Sequence, residues 1–524
     1  MPEYLQPGVY VEELASGLRP VEGVPTSTAA FVGEAERGAT MPRLVTSLQD
    51  FEHWFGGVDK PDRFLPHAVR GFFENGGKRL FIGRVVPAAA TTAETDLGAG
   101  FTLRAIGPGS WGTRIYAMID DGSATQVGPD GAARPVGFRL RVAWYATPPL
   151  GDPRDWFDGK PRAMRPSRFE EFDDLVTDAQ APGFFETQLS AHSALVECVR
   201  GPEAASGARP PNGFVRLDRG GVDGASPPSV EDYVGGGSGA EGDEARGLSS
   251  LELPTCREIA LVYAPGASHA VGRAVVAHCE RQSHRFAVVD PEREAEGATF
   301  DARDAVADSK YAALYWPWLV VAHPRTGVPI SVPPGGHVLG VYARTDVERG
   351  VFKAPANEVL RGVLAPALAI DEGLQAVLSQ RGINTIRQFP GRGLRVWGAR
   401  TLSSDSQWKY VPVRRLFIYL ERSIDEGLQW TVFEPNGERL WSRVADSVRL
   451  FLRGCWRDGA LLGATEREAF FVRCDRTTMT QDDILNGRLV CEVGVAPVRP
   501  AEFVVFRIFA RCASSTGQQS PSRR

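Results

Sequence analysis

Apolar residues recur along this chain with two different periods, and the change from one period to the other divides it. Between residues 26 and 88 the apolar run TAAFVGEA predicts a strand. SLQDFEHWFGG and LPHAVRGFFENGG, with helical spacing, follow it, and then KRLFIGRVV, strand-like again. Ser47 or Asp50 offers a cap for the first helix, and Gly76 with Gly77 a stop for the second. The same texture returns after residue 251, where REIALVYAPG reads as a buried strand, AVGRAVVAHCERQSH as an amphipathic helix and RFAVVDP as the next strand. Two pieces far apart in sequence therefore predict one split α/β domain, residues 26–88 and 251–362.

Residues 89–250 have another period. FTLRAIG, TRIYAMIDDG and FRLRVAWYA alternate apolar and polar positions between Gly, Pro and Asp turns, which predicts an inserted, β-rich outer domain. It ends in a glycine-rich stretch whose Gly237, Gly239 and Gly242 satisfy G-x-G-x-x-G literally. A dinucleotide loop needs a strand before it and a helix opening on it, and this run, set among Pro, Ser, Asp and Glu, reads as a linker. After Pro355, ANEVLRGVL and IDEGLQAVLSQRG read as helices, GLRVWGARTL as a strand, and VPVRRLFIYLERSIDEGLQWTVFEP as a strand-helix-strand or helical mixture. Residues 363–501 are expected to form a C-terminal α/β domain. The fold class is thus multidomain α/β (α+β), with a discontinuous middle domain.

Within that last region GERLWSRVADSVRLFLRGCWR places Leu440, Trp441, Val444, Val448, Phe451, Leu452 and Cys455 on one helical face. Arg439, Arg443, Asp446, Arg449, Arg453 and Arg457 share the opposite arc. Such a stripe is either a solvated face with acidic neighbours or a docking face for an acidic partner, since guanidinium groups bind carboxylates in a bidentate fork. It lacks interleaved aromatics on its charged side, so nucleic acid fits it poorly.

Both ends of the chain read as strands in want of a partner. GVYVEEL, with Val9, Tyr10 and Val11, is too short to hold itself. EFVVFRIFARC puts Val504, Phe506 and Ile508 on one face and Phe503, Val505 and Phe509 on the other. Left on an open edge, a strand apolar on both faces templates unwanted pairing. It is either a central strand of the chain's own sheet or a strand exchanged with a neighbouring subunit. The last residues, 513–524, are polar and predict a disordered tail.

Composition narrows the function. The chain has 524 residues, 43% of them hydrophobic, enough for several cores, and a formal net charge of −5, which argues against a nucleic-acid-binding surface. The longest apolar run, AALYWPWLVVA, is broken by Pro317 and is far shorter than the roughly 20 residues that cross a bilayer, so no membrane insertion is expected. The N-terminus lacks the basic and apolar regions of a secretory signal, which predicts synthesis in the cytoplasm. Seven cysteines without a C-x-x-C pair suit a reducing compartment, and His278, Cys279 and His284 make a poor metal set. No cofactor is expected, and no nucleophile elbow, phosphate-binding loop or H-E-x-x-H is present, which weighs against an α/β enzyme. Arg344, Asp346, Glu348 and Arg349 crowd a stretch between glycines. They read as a charge network locking a glycine-turned loop at a domain junction, with Pro355 handing the chain to the next helix.

The ordered series PGVYVEE, TAAFVGEAERG, GGKRLFIGRV, GSWGTRI, GGVDG, SKYAALYWPW, VPPGGHVLGVYARTDVERGVFKAPANE and GINTIRQFPGRGLRVWGARTL resembles the contractile tail sheath proteins of phages, R-type pyocins and extracellular contractile injection systems. The resemblance runs along nearly the whole chain. It implies a structural, non-enzymatic subunit that polymerises with itself into stacked, usually six-fold rings around an inner tube, between a baseplate and a terminator or cap, in a phage-tail-like particle. It also implies that residues 1–25 and 502–512 are arms exchanged between subunits. By position, the C-terminal domain with its arginine helix becomes the candidate for the tube-facing side. An α/β enzyme and another tail or baseplate protein are the alternatives.

Overall fold

The computed structural model describes residues 20–127, 133–205, 207–224, 227–236, 246–293 and 301–502. A nine-stranded sheet organises it, in the order Glu358–Val359, Gly393–Trp397, Ile383–Phe389, Ala312–Trp316, Phe286–Val289, Leu261–Tyr263, Ala29–Gly33, Leu80–Arg84, Arg43–Val45. From Ile383–Phe389 to Leu80–Arg84 neighbouring strands run parallel, and antiparallel strands finish both edges. Ala29, Ala30 and Phe31 pair with Leu261, Val262 and Tyr263, so the piece before the insertion and the piece after it form one sheet.

The apolar runs are continuous because both faces of this sheet are covered. Phe31, Tyr263, Val288 and Tyr315 point into a core shared with the helices Leu65–Glu74 and Gly335–Arg349. Val32, Val262, Val289 and Leu314 point the other way, into a core shared with the helix His269–Gln282. Ser47 caps the helix Leu48–Phe55 through the Asp50 amide, and Gly76, at φ 108°, turns the chain just beyond Asn75, the C-cap of Leu65–Glu74.

The insertion builds two antiparallel sheets. One has the order Arg168–Leu175, Phe138–Trp144, Ile115–Asp121, Gly213–Arg216, the other Val196–Arg200, Phe101–Ala105, Glu94–Gly98, and they share a core around Phe101, Trp111, Phe138 and Leu140. A further core lies between the helices Val411–Gly427 and Glu438–Arg457 and a hairpin of Phe470–Arg473 with Glu492–Val495. The helix Val411–Gly427 belongs to two cores, with Val411 and Ile418 in the sheet domain and Leu416 and Leu420 in the last one. It bridges the two units.

Three expectations need correction. The sheet does not end at residue 362: Ile383–Phe389 and Gly393–Trp397 extend it, since Leu314 pairs with Ile383. ANEVLRGVL is not helical. Asn357 sits at φ 60° and Gly362 at φ 74°, and between them Glu358–Val359 adds an edge strand. Arg344, Asp346, Glu348 and Arg349 are not on a loop but on the helix Gly335–Arg349. Gly335, Gly336 and Gly340 serve close packing there rather than turning: a Cβ on Gly336 would lie 2.5 Å from the Ala68 backbone, and one on Gly340 2.5 Å from the Phe72 carbonyl. The facing helix returns the favour at Gly71, where a Cβ would meet the His337 ring at 2.4 Å.

Candidate assembly interfaces

The helix Gly335–Arg349, here the junction helix, is fastened at both ends. At its start the Gly335 amide donates to Asp290 Oδ1 at 3.0 Å, while Tyr263 donates its hydroxyl to Oδ2 at 2.5 Å. Burial pushes the Asp290 carboxyl up to about 7. It is a helix-start acceptor, not a solvent-facing acid. Near the other end Asp346 meets Arg415 of the bridging helix in a two-pronged pair, at 2.9 and 2.5 Å, with side-chain exposures of 2% and 4%. Thr26 donates its hydroxyl to Asp346 Oδ2 at 2.7 Å, and Arg415 donates to the Thr26 carbonyl at 3.0 Å. Arg415 also lies over the Tyr342 ring, 5.0 Å from its centroid. Arg344 donates to the carbonyls of Asn75 and Val359, at 3.1 and 2.8 Å. These two members of the predicted network are therefore committed within one chain, and Glu348 and Arg349 are exposed.

Ahead of Thr26 the chain lies along the bridging helix. Val24 donates its amide to Ser423 Oγ at 3.1 Å, Gly23 passes so close to Tyr419 that a Cβ would meet its hydroxyl at 2.2 Å, and Val21 packs on Gly427. The C-terminal segment is held beside the other end of the same helix. Glu502 accepts from Arg400 at 2.7 and 2.6 Å and from the Tyr410 hydroxyl at 3.2 Å, with Lys409 at 3.6 Å. Burial alone raises the Glu502 carboxyl, but Arg400 and Lys409 outweigh it and hold it below the usual range. The inner end of the first predicted arm thus lies along this helix, and that of the second is held by Arg400, Lys409 and Tyr410, which lead into it. The arm residues themselves, Val9, Tyr10, Val11, Phe503, Val504, Val505, Phe506, Ile508 and Phe509, lie outside the described residues, as do Gly237, Gly239 and Gly242.

The arginine helix, Glu438–Arg457, buries the apolar face expected of it. Its charged arc is partly occupied. Arg449 pairs with Asp446 at 2.7 Å, Arg453 holds Glu466 at 2.8 and 3.2 Å, and Arg443 lies 4.4 Å from the Trp430 ring centroid. Arg439 and Arg457 are exposed and make no hydrogen bond or ion pair among the described residues. The turn leading into this helix carries a feature that the sequence pattern missed: Phe433, at φ 67°, is wholly exposed beside exposed Val432. The apolar pattern of LQWTVFEP did not reveal it, because exposure of a single aromatic has no periodic signature. The hairpin exposes further apolar side chains, Phe471 on one face and Val493, opposite Val472, on the other.

No group of three or more His, Cys, Asp or Glu side chains suited to a metal occurs among the described residues. Asp223 instead receives the Ser110 amide and hydroxyl at 2.7 and 2.8 Å, a loop-fixing role.

The phage tail sheath protein central domain matches residues 245–402, and the phage tail sheath C-terminal domain matches residues 403–511. The chain belongs to the contractile tail sheath family. Its family is a structural one, without catalytic activity. Among sequence relatives, a putative prophage major tail sheath protein of Pseudomonas aeruginosa (strain UCBPP-PA14) is 29% identical over 301 residues, 55% of this chain and 75% of that protein. The tail sheath protein of Vibrio phage KVP40 is 26% identical over 34% of this chain, which spans only 26% of that longer protein. Among solved structures, a chain of the anti-feeding prophage helical sheath in its contracted state is 26% identical, with a TM-score of 0.56 over 96% of this chain and 98% of that one. A chain from the anti-feeding prophage baseplate is 25% identical, with a TM-score of 0.55 over 97% and 100%. The sheath fold therefore accounts for the split sheet, the insertion and the last core together, as parts of a subunit in a phage-tail-like particle.

Proposed function

We propose that this chain is the repeating subunit of a contractile sheath that polymerises around an inner tube and shortens to drive that tube through a target envelope. The end-to-end likeness to a helical sheath chain carries this reading. Rings of subunits, six-fold by the family resemblance, stack between a baseplate and a cap, and assembly takes place in the bacterial cytoplasm. Nucleic acid and membrane insertion have no part in it.

The terminal arms, rooted at Val21–Thr26 and at Glu502, supply strands to neighbouring copies, and the hairpin with exposed Phe471 and Val493 offers them open edges. Head-to-tail contacts of this kind do not close on themselves and generate a helix. The tube-facing surface comprises Arg439 and Arg457 with the Val432–Phe433 tip as its apolar anchor, an arrangement in which charge orients and the aromatic supplies buried area. Arg443, Arg449 and Arg453 frame that surface while spending part of their charge within the chain. The extended sheath is held by kinetic barriers rather than by nucleotide chemistry.

Electron microscopy of the purified full chain tests this: hollow helical tubes are expected, and a discrete monomer with ligand-dependent turnover overturns it. The likeness to a baseplate chain favours a second reading, a baseplate element with the sheath fold. Single rings that never stack would select it.

A further inference from the structure

The hairpin that closes the last core carries two cysteines that the assembly surfaces do not use. Its ladder ends with Arg473 opposite Glu492, so Cys474 and Cys491 are the next residues on the two strands, at the base of the segment 475–490. Residues facing one another across antiparallel strands have Cα atoms about 4.5–5.5 Å apart, inside the roughly 4.4–6.8 Å that a disulfide spans. Both are free thiols, Cys474 buried and Cys491 half-buried at the edge of the same core.

We propose that Cys474 and Cys491 form a thiol pair that closes into a disulfide when the protein meets an oxidised low-molecular-weight disulfide of the glutathione type, stapling the base of the 475–490 segment. The inference stands on the hairpin alone and does not depend on the sheath reading.

The two thiols are not equivalent. The two thiols share a hydrogen bond, which, with Arg449 nearby, lowers the Cys491 thiol against the opposing effects of burial and Glu492. The same contact, burial and Asp475 raise the Cys474 thiol. Cys491, the more exposed and more easily ionised, is therefore the attacking group. Its thiolate displaces one glutathione thiolate from the small disulfide, leaving a mixed disulfide on Cys491. Cys474 then loses its proton to solvent, attacks the Cys491 sulfur and releases the second glutathione thiolate. Two protein thiols are oxidised and one small disulfide is reduced to two thiols. Other cysteines are poor competitors, since burial pushes Cys198 and Cys279 up to about 12 and Cys455 up to about 11.

The staple acts on a segment already organised at its ends. Thr478 donates to the Val490 carbonyl at 2.8 Å, and Thr480 and Asp483 cap a short helix, Gln481–Leu485. In a reducing compartment the pair stays open. Once the protein is exposed to an oxidising medium the pair closes, holding the two hairpin strands together where the ladder ends.

The test uses the full chain, purified with reductant, transferred to oxidised glutathione at neutral pH, blocked with N-ethylmaleimide and digested with trypsin. Mass spectrometry is expected to find peptide 474–476 joined to peptide 489–507, since trypsin passes over the Arg499–Pro500 bond, two hydrogens below the summed mass, and dithiothreitol is expected to return two alkylatable thiols. Cys474→Ser is expected to stop at a glutathione adduct on Cys491, and Cys491→Ser to leave Cys474 reacting roughly tenfold more slowly. Complete alkylation of both cysteines in the oxidised native protein, a persistent glutathione adduct in the unsubstituted chain, or a link that appears only in urea would each overturn the proposal.

Discussion

Asp346 and Arg415 lie 69 residues apart and are almost fully removed from water, where an ion pair is tolerated only if its remaining hydrogen-bonding capacity is used. Thr26 supplies that completion, with its hydroxyl to Asp346 and its carbonyl to Arg415, while the Tyr342 ring covers the guanidinium. Replacing one partner leaves a buried charge alone, so Asp346→Ala is expected to cost about 3–5 kcal/mol in urea unfolding. Asp346→Leu with Arg415→Met is expected to recover most of that loss, and no recovery would show that the pair acts otherwise. The sequence showed a charge network around Asp346, but not its partner, because pairing across two helices leaves no trace in spacing. His337 makes the second case at this scale. Burial, with His67 nearby, pushes its imidazole down to about 4. The folded chain then binds fewer protons than the unfolded one, so stability is full above the usual histidine range and falls as pH drops from about 6.5 toward 4, by about 3 kcal/mol for this group. Thermal unfolding followed across that range should show a shallower fall for His337→Gln; an unchanged slope would remove His337 from the account.

Among elements, the crossing of Leu65–Glu74 and Gly335–Arg349 decides how the sheet domain closes. Alanine is favoured over glycine in a helix by about 1 kcal/mol. At Gly340 the added Cβ would press on the Phe72 carbonyl and the Asn75 side chain, and overpacking costs about 1–3 kcal/mol. Gly340→Ala is therefore expected to destabilise on balance, and a higher midpoint in denaturant would show that the helices separate freely. The glycines were visible as a motif, yet their purpose was misread as turning, since a glycine for φ and a glycine for contact look alike in sequence. For the arginine helix the periodic pattern sufficed to assign the buried face. Which arginines remain available depended on Asp446, Glu466 and Trp430, and only two of these lie outside the helix itself. Arg439→Glu with Arg457→Glu is expected to leave self-assembly intact and to reduce co-sedimentation with the inner tube, most clearly at low salt, where exposed charges are least screened. Undiminished tube binding would move the docking surface elsewhere.

At the scale of the molecule, the bridging helix ties the two terminal roots to the boundary between the sheet domain and the last core. The N-terminal root lies on that helix itself and the C-terminal root on Arg400, Lys409 and Tyr410 just ahead of it. Deleting residues 503–511 is expected to leave a soluble, folded body that forms no ordered tubes by electron microscopy; normal tubes would exclude strand exchange through the C-terminal arm. By itself the sequence determined the local periods, and with them the buried strands, the amphipathic helices, the change to β structure in the insertion and the return of the sheet after it. These are properties of neighbours along the chain, set by side-chain alternation and turn chemistry. Tertiary structure alone decided that Ile383–Phe389 joins the central sheet, that the junction residues ride a helix, and that Arg415 and Glu502 complete contacts begun far away. Those outcomes depend on which buried surfaces and charges meet, and long-range pairing of that kind is settled by packing and desolvation, not by spacing along the chain.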